Sequence, residues 1–376
     1  MRITTSVTGD LSEWANFDVS SRSRPRLPIP YGLCGAFLSA GHQVQGVDLR
    51  RDTNAALQKN SLESVISPRQ LSRALANSEA AIFWGSYALQ AIVRERLSAK
   101  RSKILRLAYN LRAPGDSVFG NWKMRLQNQI ASKAFGHIFM TDMQLLLARE
   151  VFGHAHPLIK FRCGIDTQFY RYELDYKDVP TQYIAIVEKL LTRPYVIMPG
   201  DELRLNDDAI KVAKLSGLRL VRISQYFEKS GTEKLNQEIE ELGLQDLLLI
   251  FRKIDYKFLR FLLRNAVAYV GLVDSSWQPA GWTVACEALA AGVPAIIYEG
   301  LTTDELRKMG ASVRIMRVVP KGDVSAVVQC VDDILRLAHD MRAELGNEAR
   351  VLAEVQLDIN VTGPDFVRNI ELLVNS

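Results

Sequence analysis

The sequence predicts an α/β protein made of two doubly wound domains, each a parallel sheet with helices on both faces. Three observations predict this fold class. The chain has 376 residues, which is too long for one ordinary hydrophobic core. Short apolar runs of strand length alternate with segments of helical spacing, the order typical of parallel sheets. The alternation pauses over residues 165–193 and then starts again, so two units of the same kind follow one another.

In the first domain, strands are predicted where apolar runs end at glycine or polar residues, and helices where apolar residues recur every three or four positions. The predicted strands are Arg2–Thr8, Gln43–Leu49, Ala80–Trp84, Lys103–Tyr109 and His137–Met140. The predicted helices are Tyr31–Ala40, Pro68–Asn77, Tyr87–Ala99, Gln129–Phe135 and Met143–Phe152. Residues 10–30 are polar and contain proline, which predicts a long loop of the kind usually kept for function.

The second domain repeats this alternation. Its predicted strands are Pro194–Met198, Leu218–Ile223, Leu247–Phe251, Val267–Leu272 and Ala295–Tyr298. Its predicted helices are Asp207–Ser216, Lys234–Leu242, Asp255–Asn265, Thr283–Ala291 and Asp323–Glu344. We expect the domains at 1–165 and 166–359, with a C-terminal helix at 360–376 that packs back on the first. Because such sheets bind ligands beyond the carboxyl ends of their strands, two facing sheets predict a cleft that holds the site.

The composition is that of a soluble cytoplasmic protein without a metal centre. Hydrophobic residues make up 48% of the chain, and no apolar run reaches the roughly 20 residues that would cross a bilayer. The first residues lack the apolar core of a signal peptide. The four cysteines have no metal-ligand spacing, so we expect reduced, buried thiols at Cys34, Cys163, Cys286 and Cys330.

The charge is distributed unevenly along the chain. Residues 1–171 contain 23 Lys and Arg against 12 Asp and Glu, whereas residues 172–376 contain 24 against 30. A basic surface favours nucleic acid, anionic lipid or an anionic substrate, although a solvated basic surface without a partner remains open. No nucleic-acid-binding motif is present, so we do not expect nucleic acid as a partner.

The segment Ser275–Gly300 places a carboxylate, Glu287, inside a pattern that otherwise predicts a buried helix and strand. We expect the helix to start near Thr283, directly after Gly281. Free backbone N–H groups at a helix start can hold an anion, and glycine lets the backbone approach it closely. A carboxylate one turn further on can accept hydrogen bonds from ribose hydroxyls. The alternative is an exposed carboxylate on the helix surface.

Four stretches together resemble a known enzyme family. GWTVACEALAAGVPAII (Gly281–Ile297) is similar to the nucleotide-sugar signature of retaining GT-B glycosyltransferases, the group of glycosyltransferase family 4. Three further stretches match that family in order, namely AGHQV (Ala40–Val44), FRCGIDTQFY (Phe161–Tyr170) and VIMPGDELRLNDDAI (Val196–Ile210). The resemblance covers nearly the whole chain. It implies two Rossmann-like domains facing a cleft, with the acceptor on the first and the donor on the second.

The resemblance also implies a donor site in the second domain. Glu287 matches the glutamate that binds the nucleotide ribose, and Arg204 matches the arginine that binds the diphosphate. Arg252 and Lys253 would touch the base or the phosphates. Gly9, which ends the first strand of the first domain, stands at the place of the family's phosphate loop. With the loop and helix start, the expected donor-binding residues are Gly9, Gly200, Arg204, Arg252, Lys253, Ala280, Gly281, Trp282, Thr283 and Glu287. The implied donor is a UDP or GDP sugar, and neither a cofactor nor a metal ion is implied.

Three residues are the catalytic candidates. The family has a second glutamate eight residues before the ribose-binding one, where this chain has Pro279. A one-residue insertion would bring Gln278 into that role, although an amide supplies no charge. Asp10, next to Gly9 in the expected phosphate loop, is the candidate acceptor base, and Glu13 and Asp18 are further choices. Tyr109 or Asn110 lies where many members of the family have a histidine, and we choose Asn110.

The activity implied is transfer of a sugar from a nucleotide-diphosphate sugar to a hydroxyl of a glycan or lipid-linked acceptor, with retention, in cell-envelope or exopolysaccharide synthesis. Two alternatives stay open: a catalytically degenerate binding or scaffold subunit, and a sugar-nucleotide 2-epimerase. The basic segments Arg94–Arg106 and Asn121–Lys133 suit a peripheral contact with the anionic inner face of a membrane. A solvated helix face would have the same composition.

Overall fold

The computed structural model describes residues 1–7, 36–37, 40–48, 75–84, 91–93, 103–107, 118–171, 179–200, 204–224, 229–252, 254–276 and 278–376. The chain divides into two compact units. The first contains Met1–Gly164 together with Ile359–Ser376, and the second contains Ile165–Asp358. The C-terminal segment therefore belongs to the same unit as the N-terminus.

The first unit is built on a six-stranded parallel sheet with the strand order β2-β1-β3-β4-β5-β6. Its strands are β1 (Arg2–Val7), β2 (Gln43–Asp48), β3 (Ala80–Trp84), β4 (Lys103–Leu107), β5 (Gly136–Phe139) and β6 (Leu158–Lys160). Parallel neighbours require crossover connections. Two crossover helices are described in full length, α1 (Val118–Ala131) between β4 and β5 and α2 (Asp142–Phe152) between β5 and β6.

A capping residue fixes the start of α2, and aromatic packing fixes the place of the C-terminal helix, Ile359–Asn375. Thr141 caps α2, because its hydroxyl accepts from the backbone N–H of Gln144 while the Gln144 side chain accepts from the N–H of Thr141, both at 3.2 Å. In the C-terminal helix, the Phe366 ring packs against Phe37 and Phe161 at centroid distances of 5.8 and 4.1 Å. Aromatic packing thus holds this helix on the first unit.

The second unit contains another six-stranded parallel sheet, with the order β12-β11-β10-β7-β8-β9. Its strands are β7 (Tyr195–Pro199), β8 (Arg219–Ser224), β9 (Leu248–Arg252), β10 (Ala268–Gly271), β11 (Ala295–Tyr298) and β12 (Met316–Val319). Its helices are α3 (Thr167–Arg171), α4 (Ile184–Leu191), α5 (Asn206–Ser216), α6 (Lys229–Glu241), α7 (Tyr256–Asn265), α8 (Trp282–Ala290), α9 (Leu301–Lys308), α10 (Val324–Leu335) and α11 (His339–Leu352). The predicted doubly wound α/β fold class is confirmed.

The strand order of the second sheet places a ligand position between β7 and β10. From β7 the chain proceeds outward to β8 and β9, and it then returns to β10 and proceeds the other way to β11 and β12. Crevices form where the strand order reverses, outside the carboxyl ends of the two central strands. The loops that follow β7 and β10 are therefore where the sheet can accept a ligand.

Several predicted elements were wrong in extent. The predicted helix Gln129–Phe135 overlaps only the end of the longer α1, which begins at Val118 and ends at Ala131. The single helix predicted over Asp323–Glu344 is two helices, α10 and α11, because Ala338 has an extended backbone (ψ 155°) that interrupts the helix without a glycine or proline. The sequence also missed elements with little pattern of their own, including β6, β12, α4 and α9. Most of the helices predicted over 31–40, 68–77 and 87–99 lies outside the described residues.

Candidate functional site

The predicted donor-site residues that the structure describes all lie at the carboxyl edge of the second sheet or in the helix that follows it. Gly200 follows β7, Arg252 ends β9, and Gln278 to Thr283 connect β10 to α8. Two contacts join the loops after β7 and β10: the backbone N–H of Leu205 donates to the Leu272 carbonyl at 2.9 Å, and Arg204 pairs with Val273. Predicted residues outside the described part of the chain are Gly9, Asp10, Asn110 and Lys253, and so are Glu13, Asp18 and Tyr109.

Arg204 is anchored to the end of β7. Its Nε and Nη2 both donate to the carbonyl of Pro199, at 2.9 and 2.5 Å. Its third guanidinium nitrogen, Nη1, is buried and has no hydrogen-bond partner among the described residues. The side chain is therefore held rigidly with one donor left over, which is the arrangement needed to bind an anion.

Two glycines make room for this guanidinium. Gly200 (φ +100°) and Gly281 (φ +79°) both have left-handed backbones that L side chains rarely adopt. A Cβ at Gly200 would lie 2.5 Å from Nη2 of Arg204, and one at Gly281 would lie 3.1 Å from Nη1. We expected glycine here to let the backbone approach a ligand. In the structure, the space beside both glycines is filled by Arg204.

The start of α8 offers backbone rather than side-chain groups. Gly281 is the N-cap and has no side chain with which to cap the first turn. Ala280 and Trp282 are buried, and the Ala280 carbonyl accepts a 2.9 Å hydrogen bond from the hydroxyl of Thr302. Only Thr283 of this predicted group is partly exposed at its side chain. A ligand at this position would meet N–H groups and the positive end of the helix dipole.

Glu287 is 2% exposed, so the exposed-carboxylate alternative is wrong. The fully buried Tyr269, on β10, interacts electrostatically with both Glu287 and Arg204. Burial raises the pKa of Tyr269, the positive charge of the nearby Arg204 guanidinium opposes that rise, and the Glu287 carboxylate adds to it. The Tyr269 hydroxyl lies 3.1 Å from the position that a Cβ on Gly281 would take. Guanidinium, phenol and carboxylate thus form one group beside the start of α8.

Four buried polar atoms around this loop have no hydrogen-bond partner among the described residues. They are Nη1 of Arg204, the hydroxyl of Tyr269, Oγ of Ser275 and Oε1 of Gln278. Buried polar groups are normally paired, so such a cluster calls for an explanation, and a ligand is one. The sequence interpretation missed Tyr269, which is hidden in a strand pattern. It also missed Ser275, which lies in the polar loop that leads to Gln278.

Arg222 fixes the position of Gly200 from the neighbouring strand. It is 1% exposed, its Nε donates to Asn206 at 3.2 Å, and its Nη1 donates to the carbonyls of Gly200 and Ile223. A buried arginine bound to backbone carbonyls holds the turn after β7 against β8. Its role is to position the loop that carries Arg204.

Two further cations, Lys211 and Arg252, lie on α5 and at the end of β9. Lys211, the lysine nearest in sequence to Arg204, pairs with Asp208 at 3.5 Å, and Asp208 accepts a 2.9 Å hydrogen bond from Tyr298. Burial and then the Asp208 carboxylate raise the pKa of that tyrosine. Arg252 ends β9, which β8 separates from β7. Strand spacing puts its backbone about 10 Å from that of β7, so only an elongated ligand could span Arg204 and Arg252.

No group of three or more His, Cys, Asp and Glu side chains among the described residues could hold a metal ion. No described helix is both long enough and apolar enough to span a bilayer. Cys163 and Cys286 are buried and Cys330 is half-buried, and none of these three is in a disulfide.

Neither a protein-family model nor a curated protein sequence matches the chain. Solved structures do match it over nearly their whole lengths. Sucrose-phosphate synthase from Thermosynechococcus elongatus has a TM-score of 0.71 at 14% identity, covering 100% of this chain and 99% of that one. Anabaena Alr3699/HepE in complex with UDP and glucose has a TM-score of 0.69 at 12% identity, covering 99% and 100%.

A third match is the α,α-trehalose 6-phosphate synthase from Burkholderia multivorans, with a TM-score of 0.70 at 11% identity, covering 100% and 98%. The fold is that of GT-B glycosyltransferases. At these identities the likeness concerns the fold, so the activity of this GT-B chain has to be argued from its own residues.

Proposed function

We propose that the chain is a glycosyltransferase that binds a nucleotide-diphosphate sugar at the ends of β7 and β10. The observation that carries this proposal is the cluster of unpaired buried polar atoms at Arg204, Tyr269, Ser275 and Gln278, next to the buried Glu287. The cluster mixes donors with acceptors. A nucleotide sugar needs both, because its phosphates only accept hydrogen bonds while its hydroxyls donate and accept.

We assign each group of the site to the part of the donor that it would bind. Nη1 of Arg204 and the N–H groups at the start of α8 hold the diphosphate, and Glu287 accepts hydrogen bonds from the ribose hydroxyls. Oε1 of Gln278 accepts from a sugar hydroxyl. Arg252 and Lys253 contact the base end. We choose UDP as the nucleotide, because the similar HepE structure contains UDP and glucose.

In the proposed reaction, the bond between the anomeric carbon and the diphosphate oxygen breaks, and the acceptor oxygen bonds to that carbon. The diphosphate leaves with an additional negative charge. The Arg204 guanidinium and the dipole of α8 stabilise this charge. Both groups are already in position before the reaction starts, and such preorganisation is the usual source of electrostatic catalysis. The acceptor hydroxyl loses its proton to a base, for which Asp10 remains the prediction, as Asn110 does for a contact with the donor sugar.

Gln278 favours one competing function, a binding subunit without catalysis. An amide cannot stabilise a positively charged anomeric centre as a carboxylate can. UDP release from UDP-sugars separates the two functions: an enzyme releases UDP faster when acceptors extracted from cell envelopes are added. A binding subunit shows a rise in melting temperature with the nucleotide but no turnover with any acceptor fraction.

A thermal-shift screen with UDP, GDP, ADP and TDP sugars tests the donor. A ligand at 100 times its dissociation constant stabilises the folded state by about 2.7 kcal/mol. We expect UDP-sugars to raise the melting temperature most. Absence of a shift with every nucleotide sugar would refute the proposed function.

For the acceptor, we propose a lipid-linked glycan precursor at the cytoplasmic face of a membrane, in cell-envelope or exopolysaccharide synthesis. The helices α1 and α2 carry exposed apolar side chains at Leu126, Met143, Leu146 and Val151. Exposed cations are close in sequence, at Arg125 and Lys133. Apolar and basic side chains together suit a surface of anionic lipid.

Flotation with phosphatidylglycerol vesicles tests the membrane contact. The double variant Met143→Ser with Leu146→Ser should float less than the wild type, and both proteins should float less at high salt. Leu215→Ser is the control, because Leu215 is 62% exposed but lies in the second unit. If the wild type stays with the unbound fraction at low salt, the membrane contact is ruled out.

A further inference from the structure

Three nitrogen-bearing side chains come together in the first unit. Arg106 on β4 is the register partner of His137 on β5, so their side chains leave the same face of the sheet. The imidazole of His156, in the segment between α2 and β6, lies with its centroid 4.9 Å from that of His137. On α2, Phe152 stacks on His137 at 4.1 Å. We call Arg106, His137 and His156 the imidazole cluster.

The imidazole cluster contains buried nitrogens that have no hydrogen-bond partner among the residues that the structure describes. They are Nε and Nη1 of Arg106, both ring nitrogens of His137 and Nε2 of His156. The Ala131 carbonyl favours a proton on His137 but lies outside normal hydrogen-bonding geometry. Native proteins rarely leave so many neighbouring buried groups unpaired, so the cluster lacks a component.

The charge of the cluster identifies that component as an anion. Burial lowers the pKa of Arg106 to about 10, and no carboxylate opposes this shift. Burial, followed by the charges of Arg106 and His156, lowers the pKa of His137 to about 2, and burial also lowers that of His156. Two of the three guanidinium nitrogens of Arg106 are buried, and a guanidinium withdrawn from water in this way normally has a counter-charge, which the described residues do not supply.

We infer that Arg106, His137 and His156 form a binding site for a small oxyanion of the phosphate or carboxylate class. An oxyanion only accepts hydrogen bonds, so it matches a guanidinium and two imidazole N–H groups. A water molecule could fill hydrogen bonds but would leave the charge of Arg106 uncompensated. A metal cation is disfavoured by that same charge.

The imidazole cluster shares no residue with the proposed donor site. His137 is near the start of β5 and His156 precedes β6, both in the first unit, whereas the donor site is in the second. Solvent reaches the cluster, because Arg106 and His156 are each only partly buried and the preceding residues 153–155 are exposed. An anion can therefore enter without unfolding the sheet.

Titration of the full-length chain with inorganic phosphate tests the inference, with imidazole signals followed by NMR at constant ionic strength. The chain has five histidines, and His42, His154 and His339 lie outside the cluster and serve as internal controls. We expect phosphate to shift the signals of His137 and His156 and to raise the pKa of each, because a bound anion stabilises the imidazolium. A parallel titration with acetate distinguishes carboxylate from phosphate.

Arg106→Met should weaken the phosphate response of the two histidines by at least about tenfold, through loss of a charged hydrogen bond. Arg149→Met is the matched control, because Arg149 is an exposed arginine of the same unit, and its response should equal that of the wild type. If Arg106→Met does not fold, His137→Phe keeps the stack on Phe152 and should remove the phosphate shift at His156. The inference would be overturned if phosphate left the NMR signals of His137 and His156 unchanged, or if it shifted the signals of all five histidines equally.

Discussion

The carboxyl edge of the second sheet and the imidazole cluster of the first unit both contain buried polar atoms without partners, but their chemistry differs. Around α8, donors and acceptors are mixed, with Arg204 and Tyr269 beside Gln278 and Glu287. The imidazole cluster has a permanent cation, and no carboxylate of the described part of the chain shifts the pKa of that cation. The mixed set suits a ligand with phosphates and hydroxyls, whereas the cationic set suits an anion alone. The balance of donors, acceptors and charge therefore indicates what each site binds.

The largest expected effect is a loss of folding stability at acid pH, caused by protonation of the imidazole cluster. The folded pKa of His137 is about 2, below the usual 6.5, so the unfolded chain takes up this proton first as pH falls. The stability is complete above pH 6.5 and decreases toward pH 2, by up to about 1.4 kcal/mol per pH unit. His137→Phe should flatten this loss in urea unfolding measured between pH 7 and pH 4.

The matched control is His154→Phe, because His154 is exposed and should leave the pH dependence unchanged. An equal acid slope in His137→Phe and the wild type would show that His137 is not the group that titrates on unfolding.

A smaller effect is expected at the turn that holds Arg204. Gly200→Ala requires a left-handed backbone and brings Cβ to 2.5 Å from the guanidinium, so it should cost about 2–3 kcal/mol of folding stability. Gly310→Ala has a similar φ of +91° with no atom within 4 Å of the new Cβ, and should cost about 1 kcal/mol. The melting temperatures of the two variants measure the difference.

The Arg204 contact predicts more than destabilisation. Gly200→Ala should also weaken UDP binding, whereas Gly310→Ala should not. Equal melting temperatures and equal UDP affinities for the two variants would contradict the packing of Arg204 against Gly200.

The smallest effect is expected at Tyr269. Tyr269→Phe removes a hydroxyl that has no hydrogen-bond partner among the described residues, so folding stability should stay the same or rise, while UDP binding weakens by about 1 kcal/mol, roughly fivefold. Tyr195→Phe should do the opposite, because its buried hydroxyl donates to the Leu262 carbonyl at 2.6 Å. Removing that bond should lower stability by about 1 kcal/mol without changing UDP affinity.

Calorimetric titration of both variants with UDP, together with urea unfolding, separates the two tyrosines. A loss of stability in Tyr269→Phe without a loss of affinity would place that hydroxyl in the core rather than in a binding site.

The sequence predicted most of the strands because a buried parallel strand is an unbroken apolar run. Two predicted strands, Ala80–Trp84 and Ala295–Tyr298, have the observed bounds. Elements of three or four residues, such as Leu158–Lys160, carry too little pattern to be recognised. The break between α10 and α11 depends on the extended backbone of Ala338, and alanine is not a residue type that predicts such a break.

The site was predictable only where local spacing determines it. The motif identified Glu287 and the start of α8 because both lie within one short segment. Tyr269, Arg204 and Gly281 come together only because β7 and β10 are adjacent in the sheet. Arg204 and Gly281 are 77 positions apart in the chain, so no local pattern shows that they are in contact. The same holds for Arg106 and His137, which strand register brings together.

The most direct test of the central claim is calorimetric titration of UDP into the wild type and Glu287→Gln. The substitution keeps the buried side chain's shape but removes its charge, and a hydrogen bond to a charged group contributes about 1.5–3 kcal/mol. The account predicts that the wild type binds UDP, that Glu287→Gln binds it at least about tenfold more weakly, and that Glu240→Gln, at an exposed helix position, binds it as the wild type does. Equal UDP affinity in all three proteins, or no binding by the wild type, would contradict it.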